Sequence, residues 1–213
     1  TDADAALFRK LAPQVADRVG VIENGVDTAY FDPSVPFEAP YAPGGPVIVF
    51  TGAMDYWPNV DAVTWFATEV LPRVQARIAD ARFAIVGSRA GADVQALASR
   101  PGVLVTGRVP DVRPYLRHAA LSVAPMRIAR GTQNKVLEAF SMAKPVLMTS
   151  GAAEGLRPVD WLAPQAVADP PQIAALAVEA LQRPAERPAA RDYVLANYSW
   201  DAHLQRLDRM LQA

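Results

Sequence analysis

The sequence predicts an α/β fold, a parallel sheet with crossover helices on both faces, from three observations. Short runs of β-branched and aliphatic residues alternate with longer segments of helical period. Several of these runs end in Gly or Pro, at Gly52, Gly87, Gly107 and Pro125, as strands do when they feed loops along one edge of an open sheet. The 213 residues, 51% hydrophobic and 20% charged, suffice for one globular domain, or one and a half, with a full core.

In chain order, "VGVIENG" (19–25) reads as a strand ending in a turn, and "PYAPGGP" (40–46) as a Pro/Gly-rich loop. "PVIVFTG" is a buried strand, followed by an amphipathic helix from Val60 to Ala79 that Pro72 interrupts. "RFAIVGS" is the next strand, "ADVQALAS" a short helix and "GVLVTGRV" a third strand. "DVRPYLRHA" forms a short helix, "ALSVAP" a fourth strand, Gln133 to Met142 a helix and "KPVLMTS" a fifth strand. A weaker strand over Gln165 to Ala168 precedes helices over Pro171–Gln182, Ala189–Asn197 and Asp201–Leu211. Trp65 and Trp200 fall at helical core spacing, whereas Trp57, with Asp55 and Tyr56, lies on a strand-end loop where a ligand would be lined.

Composition removes several function classes. There is no Cys, hence no disulfide, thiolate metal ligand or Cys nucleophile, and His118 and His203 stand apart, so no metal site is expected. A net charge of −1 and a pI near 6.1 give no basic field for nucleic acid, so any anion site must be local. No apolar run approaches the roughly 20 residues of a membrane helix, and "TDADAALFRK" lacks the basic-then-apolar pattern of a leader. The expectation is a cytoplasmic chain, and its start without Met is read as that of a fragment or a processed chain.

The stretch "RIARGTQNKVLEAFSMAKPVLMTS" (127–150) carries the most chemistry. Arg130, Gly131, Thr132, Gln133 and Asn134 sit between a strand and a helix, so backbone N–H groups emerge from a helix N-terminus that favours an anion. Lys135 in the first turn opposes the helix dipole, a local conflict expected at functional sites. Glu138 follows it by three residues and shares its face. The spacing admits two readings: an exposed Lys135–Glu138 ion pair, or Lys135 on a diphosphate with the Glu138 carboxylate accepting from a sugar or ribose diol. Arg108, Arg127 and Arg130 fall on neighbouring strand-end loops and add positive charge.

"NKVLEAFSMAKPVL" resembles the donor-binding signature of retaining GT-B glycosyltransferases. "IENGVDTAYFDP" is similar to that family's Pro-Asn-Gly-Val-Asp turn, with Glu23 where Pro is usual. "FTGAMDYWPNVDAVTWF", "FAIVGS", "VLVTGRVPDVRPYLRHAALSVAPM" and "YSWDAHLQRL" follow in family order, so the resemblance spans nearly the whole chain. The wording of "RIARGTQNKVLEAFSMAKPV" looks most like bacterial exopolysaccharide-locus sugar transferases, including exosortase-associated ones.

This resemblance implies a Rossmann-like C-terminal half of a GT-B fold, one nucleotide-sugar-binding domain over residues 1–213. Residues 1–18 would be the last helix of an N-terminal acceptor domain and 193–213 a C-terminal helical extension. It further implies a UDP- or GDP-linked donor and no separate cofactor. Glu138 would hold the ribose hydroxyls, Gly52 the diphosphate, Gly107, Arg108 and Val109 the base edge, and Gly131, Thr132, Gln133 and Asn134 the donor sugar and phosphates. The acceptor, a sugar or lipid-linked glycan at the inner membrane face, would bind through the other domain. The fragment alone would transfer no sugar, and the apolar faces of its end helices would favour self-association.

Two departures from the family matter. Of its acidic pair eight positions apart only Glu138 is kept, Arg130 standing at the first position, and "GAMDYWPN" lacks the basic pair after the first strand. Leaving-group charge would then fall to Lys135 with Arg127 or Arg130. Three other readings stay open: a nucleotide-sugar epimerase, a dehydrogenase half, which lacks G-x-G-x-x-G after the first strand, and a non-catalytic domain with a degenerate site.

Overall fold

The computed structural model describes residues 2–129, 131–162, 169–183 and 186–212. Among these, five strands make one sheet in the order β3-β2-β1-β4-β5: β1 Val47–Thr51, β2 Arg82–Val86, β3 Val103–Gly107, β4 Leu121–Ala124 and β5 Val146–Met148. Every pairing is parallel. The chain builds outward from β1 through β2 to β3, then returns to lay β4 and β5 on the other side of β1. That reversal puts the switch point of the topology between β1 and β4, and such sheets bind ligands outside the carboxyl ends of their strands beside that point.

The helices are α1 Asp2–Leu11, α2 Trp57–Trp65, α3 Leu71–Gln75, α4 Ala92–Ala96, α5 Arg113–His118, α6 Asn134–Ser141, α7 Ser150–Ala153, α8 Pro170–Gln182, α9 Pro188–Asn197 and α10 Trp200–Leu211. β1 is buried throughout because helices cover both faces, so its sequence reads as an unbroken apolar run. α8 packs on α3, β4 and β5, and α6 packs on β4, β5 and α9. Among the described residues no helix is long and apolar enough to cross a membrane.

Two expectations change and one is refined. "VGVIENG" forms no strand: Val21 and Glu23 are buried alternately, but the segment meets the C-terminal helices rather than a sheet edge, through one bridge from Val26 to Ser199. Pro72 interrupts its helix, as expected, but by a change of turn and not by ending the helical run. A π turn over Phe66–Val70, in which the Leu71 N–H donates to the Phe66 carbonyl, joins α2 to α3, and the wider turn relieves the clash between the proline ring and the preceding turn. Trp200 opens α10 with 45% of its surface exposed and is not a core residue, whereas Trp65 packs against the core. The strand expected over 165–168 lies outside the described residues.

α6 ends in a Schellman motif: the Lys144 N–H donates to Ala139 O and the Ala143 N–H to Phe140 O, both at 2.9 Å. Ala143 takes the left-handed position at φ 54°, where glycine is usual. Ala143→Gly relieves about 1–2 kcal/mol of steric cost and loses about 0.8 kcal/mol of methyl burial. A net gain of up to about 1 kcal/mol is expected as a higher urea midpoint at unchanged m.

Candidate functional site

A cavity of about 650 Å³ lies over the carboxyl ends of β1 and β2, closed on one side by the loop after β3 and on the other by the N-terminus of α6. Its floor is backbone. A Cβ placed on Gly87 would stand 1.7 Å from the Gly52 carbonyl oxygen, so β1 and β2 approach this closely only because Gly87 carries no side chain. The Gly52 N–H donates to Val86 O at 3.0 Å and the Met54 N–H to Ser88 O at 2.8 Å, carrying the ladder past the strand ends.

The α6 side is held from behind. Gly131 turns the chain at φ 66°, and a Cβ on Gly155 would meet the Gly131 carbonyl carbon and oxygen at 2.3 Å. The Thr132 hydroxyl donates to Gly155 O at 3.0 Å, which fixes the loop entering the helix. The Val136 and Leu137 N–H groups both turn back to Gln133 O. The first-turn N–H groups of Asn134 and Lys135 are left for the cavity, as at any helix start. Asn24, from the turn after Glu23, donates to Asn134 Oδ1 at 3.3 Å and completes this wall.

Lys135 and Glu138 are both half-buried, so the exposed ion-pair reading fails. The Lys135 ammonium donates to Asn59 Oδ1 at 3.1 Å and to Gln133 Oε1 at 3.4 Å, and lies 5.1 Å from the centre of the Phe50 ring. Burial lowers its pKa to about 8, with the Glu138 charge opposing. Burial in turn raises the Glu138 carboxyl above the usual range, opposed by Lys135. The Glu138 carboxylate faces the cavity and accepts no hydrogen bond among the described residues, leaving its oxygens for a ligand.

The expected site residues divide. Gly52, Arg108, Val109, Thr132, Gln133, Asn134, Lys135 and Glu138 come together on the cavity wall. Gly107, at φ 68°, ends β3 and turns Arg108 onto that wall, while Gly131 shapes the loop. Arg127 is directed elsewhere: its Nε donates to Asp61 Oδ2 at 3.0 Å and its guanidinium lies 5.7 Å from the Trp65 ring centre, tying it to α2. Arg130 lies outside the described residues. Of the loop aromatics, Tyr56 lines the cavity and Trp57 is 58% exposed at the start of α2.

Asn24, Asn59 and Gly155 were not singled out by the sequence. Each acts on a partner far along the chain, and no local spacing marks it.

A family model described as Glycosyl transferases group 1 matches residues 45–183, more than half of the chain. A Rickettsia africae glycosyltransferase superposes with a TM-score of 0.70 at 17% identity, over 92% of this chain and 57% of its own. Anabaena HepE, solved with UDP and glucose, gives 0.64 at 14% identity, over 93% and 58%. Sucrose-phosphate synthase from Thermosynechococcus elongatus gives 0.60 at 18% identity, over 96% and 55%. The chain thus spans little more than half the length of these structures, and they share its fold. No curated protein matches it in sequence.

Proposed function

From the premise that this chain belongs to the group 1 glycosyl transferases, we propose that it binds the nucleotide-sugar donor of a retaining glycosyltransferase. The observation that carries this reading is the Glu138 carboxylate, which faces the cavity beside the α6 N-terminus and Lys135 without a hydrogen-bond partner among the described residues. Acceptor oxygens suit a pair of ribose hydroxyls, and an ammonium with helix N–H groups suits the diphosphate beside them. A nucleotide and a sugar occupy HepE, whose fold this chain shares.

In such a transfer the bond from the anomeric carbon to the diphosphate breaks through an oxocarbenium-like state. Lys135 and the first-turn N–H groups stabilise the charge that develops on the departing phosphate. The acceptor hydroxyl approaches the same face and gives its proton to a phosphate oxygen. We assign the acceptor, a sugar or lipid-linked glycan of bacterial polysaccharide synthesis, to a separate domain, with the reaction at the cytoplasmic face of a membrane. The exposed Phe8, Leu11, Leu204 and Leu211 side chains fit self-association of the isolated chain.

Calorimetric titration with UDP, GDP, ADP and NAD tests the reading. One nucleoside diphosphate should saturate the chain, NAD should not, and Glu138→Ala should weaken that binding at least tenfold. Phosphate binding needs the Lys135 ammonium, and that group loses its proton near pH 8 instead of 10.5. Affinity should therefore hold below pH 8 and fall toward about tenfold per pH unit above it, a slope that Lys135→Met removes. NAD binding tighter than any nucleoside diphosphate, or no saturable binding, would refute the proposal.

A further inference from the structure

We infer that Asn59 is a positioning residue that presents Lys135 to the donor diphosphate as an un-neutralised cation; the inference rests on the donor-binding reading above. Asn59 is 4% exposed and sits at the start of α2, 76 residues before Lys135. Its two amide atoms serve two different partners. Nδ2 donates to the Ala53 carbonyl at 2.9 Å, holding the loop that follows Gly52, and Oδ1 accepts from Lys135 Nζ at 3.1 Å. Only this orientation satisfies both contacts, because a carbonyl requires a donor and an ammonium an acceptor. One side chain therefore fixes both the Gly52 edge of the cavity and the cation facing it.

The chemistry of the socket is as informative as its geometry. The Lys135 ammonium meets Asn59 Oδ1, Gln133 Oε1, the Met126 sulfur at 4.0 Å and the Phe50 ring, all of them neutral. Glu138, on the same helix, is the charged group acting on it, and no ion pair within 4.0 Å joins the two among the described residues. Neutral acceptors direct an ammonium without cancelling its charge, whereas a carboxylate at position 59 would make an ion pair and compete with the phosphate. In a cavity wall that lacks the basic pair expected after β1, that retained charge is what the diphosphate would meet.

Asn59→Asp keeps the acceptor and adds the charge, and it also removes the Nδ2 donor to the Ala53 carbonyl, a loss that UDP and uridine share and that their ratio cancels. UDP and uridine are titrated into wild type, N59D, Lys135→Met and the double variant. N59D should weaken UDP at least tenfold more than uridine, and that discrimination should disappear in the Lys135→Met background. If N59D does not fold, Asn59→Ala, which removes the acceptor without adding charge, should give the same split. Equal losses of UDP and uridine, or a full N59D effect without Lys135, would overturn the positioning role while leaving donor binding intact. Where the titration above selects another nucleoside diphosphate, that ligand and its nucleoside replace UDP and uridine; absence of binding of every nucleoside diphosphate by wild type would overturn both.

Discussion

Gly87→Ala is expected to destabilise the chain by about 3 kcal/mol or more and to abolish binding in the cavity. The added methyl carbon would lie 1.7 Å from Gly52 O and 2.8 Å from Gly52 C. Both obstacles are backbone, at the end of a sheet whose central strand is wholly buried, so no side-chain rotation relieves the overlap. The ends of β1 and β2 would have to separate, breaking the Gly52 to Val86 and Met54 to Ser88 hydrogen bonds and displacing the cavity floor. Gly91→Ala is the control: a Cβ there meets nothing within 4 Å, and at a helix N-cap the exchange should cost about 1 kcal/mol or less. A urea midpoint for Gly87→Ala within error of wild type would show that the two strand ends do not cross this closely.

The same pair shows what the sequence conveys and what it withholds. Gly52 and Gly87 each announce a strand end, because a run of β-branched residues followed by Gly is a local signal. Their closeness follows from the parallel register of β1 and β2, which no local pattern records. Lys135 and Glu138 were legible together because helical spacing puts both on one face. Their state was not: the spacing equally suits a surface ion pair, and the distinction comes from Asn59, supplied by another helix. Arg127 illustrates the opposite failure. Its position on a strand-end loop suggested the phosphate, but Asp61 on α2 holds it away from the cavity.

"VGVIENG" misled for a related reason. An alternation of buried residues marks a strand only if the backbone between them finds a neighbouring strand, and here it finds mainly side chains. Glu23, buried with its side chain 5% exposed, accepts from Arg157 Nε at 3.1 Å and Nη2 at 2.8 Å. Arg157 also donates through Nη1 to Asn197 Oδ1 at 3.1 Å. Its backbone N–H donates to the Tyr198 hydroxyl at 2.7 Å, and its carbonyl accepts from the Tyr193 hydroxyl at 2.8 Å. One residue thus joins the segment before Gly25 to α9 and the turn that follows it. The unusual Glu23 of the family-like turn is the buried half of that link.

Arg157→Ala should therefore cost about 3 kcal/mol, the low end for a broken buried pair because the arginine is 38% exposed on its own side. Most of that cost is the Glu23 carboxylate left buried without a counter-charge, so adding Glu23→Leu should restore most of the lost stability even though no ion pair returns. Asn24, next in the chain, contacts Asn134 at the cavity wall, so Arg157→Ala should also weaken nucleoside diphosphate binding, read in the same calorimetric titration. Stability and binding should then separate in the double variant: the introduced leucine side chain fills the buried position but does not pull the turn toward α9, so folding recovers further than affinity. Full recovery of both would mean that the turn is placed by burial alone, and that the guanidinium only neutralises a charge that the fold could do without.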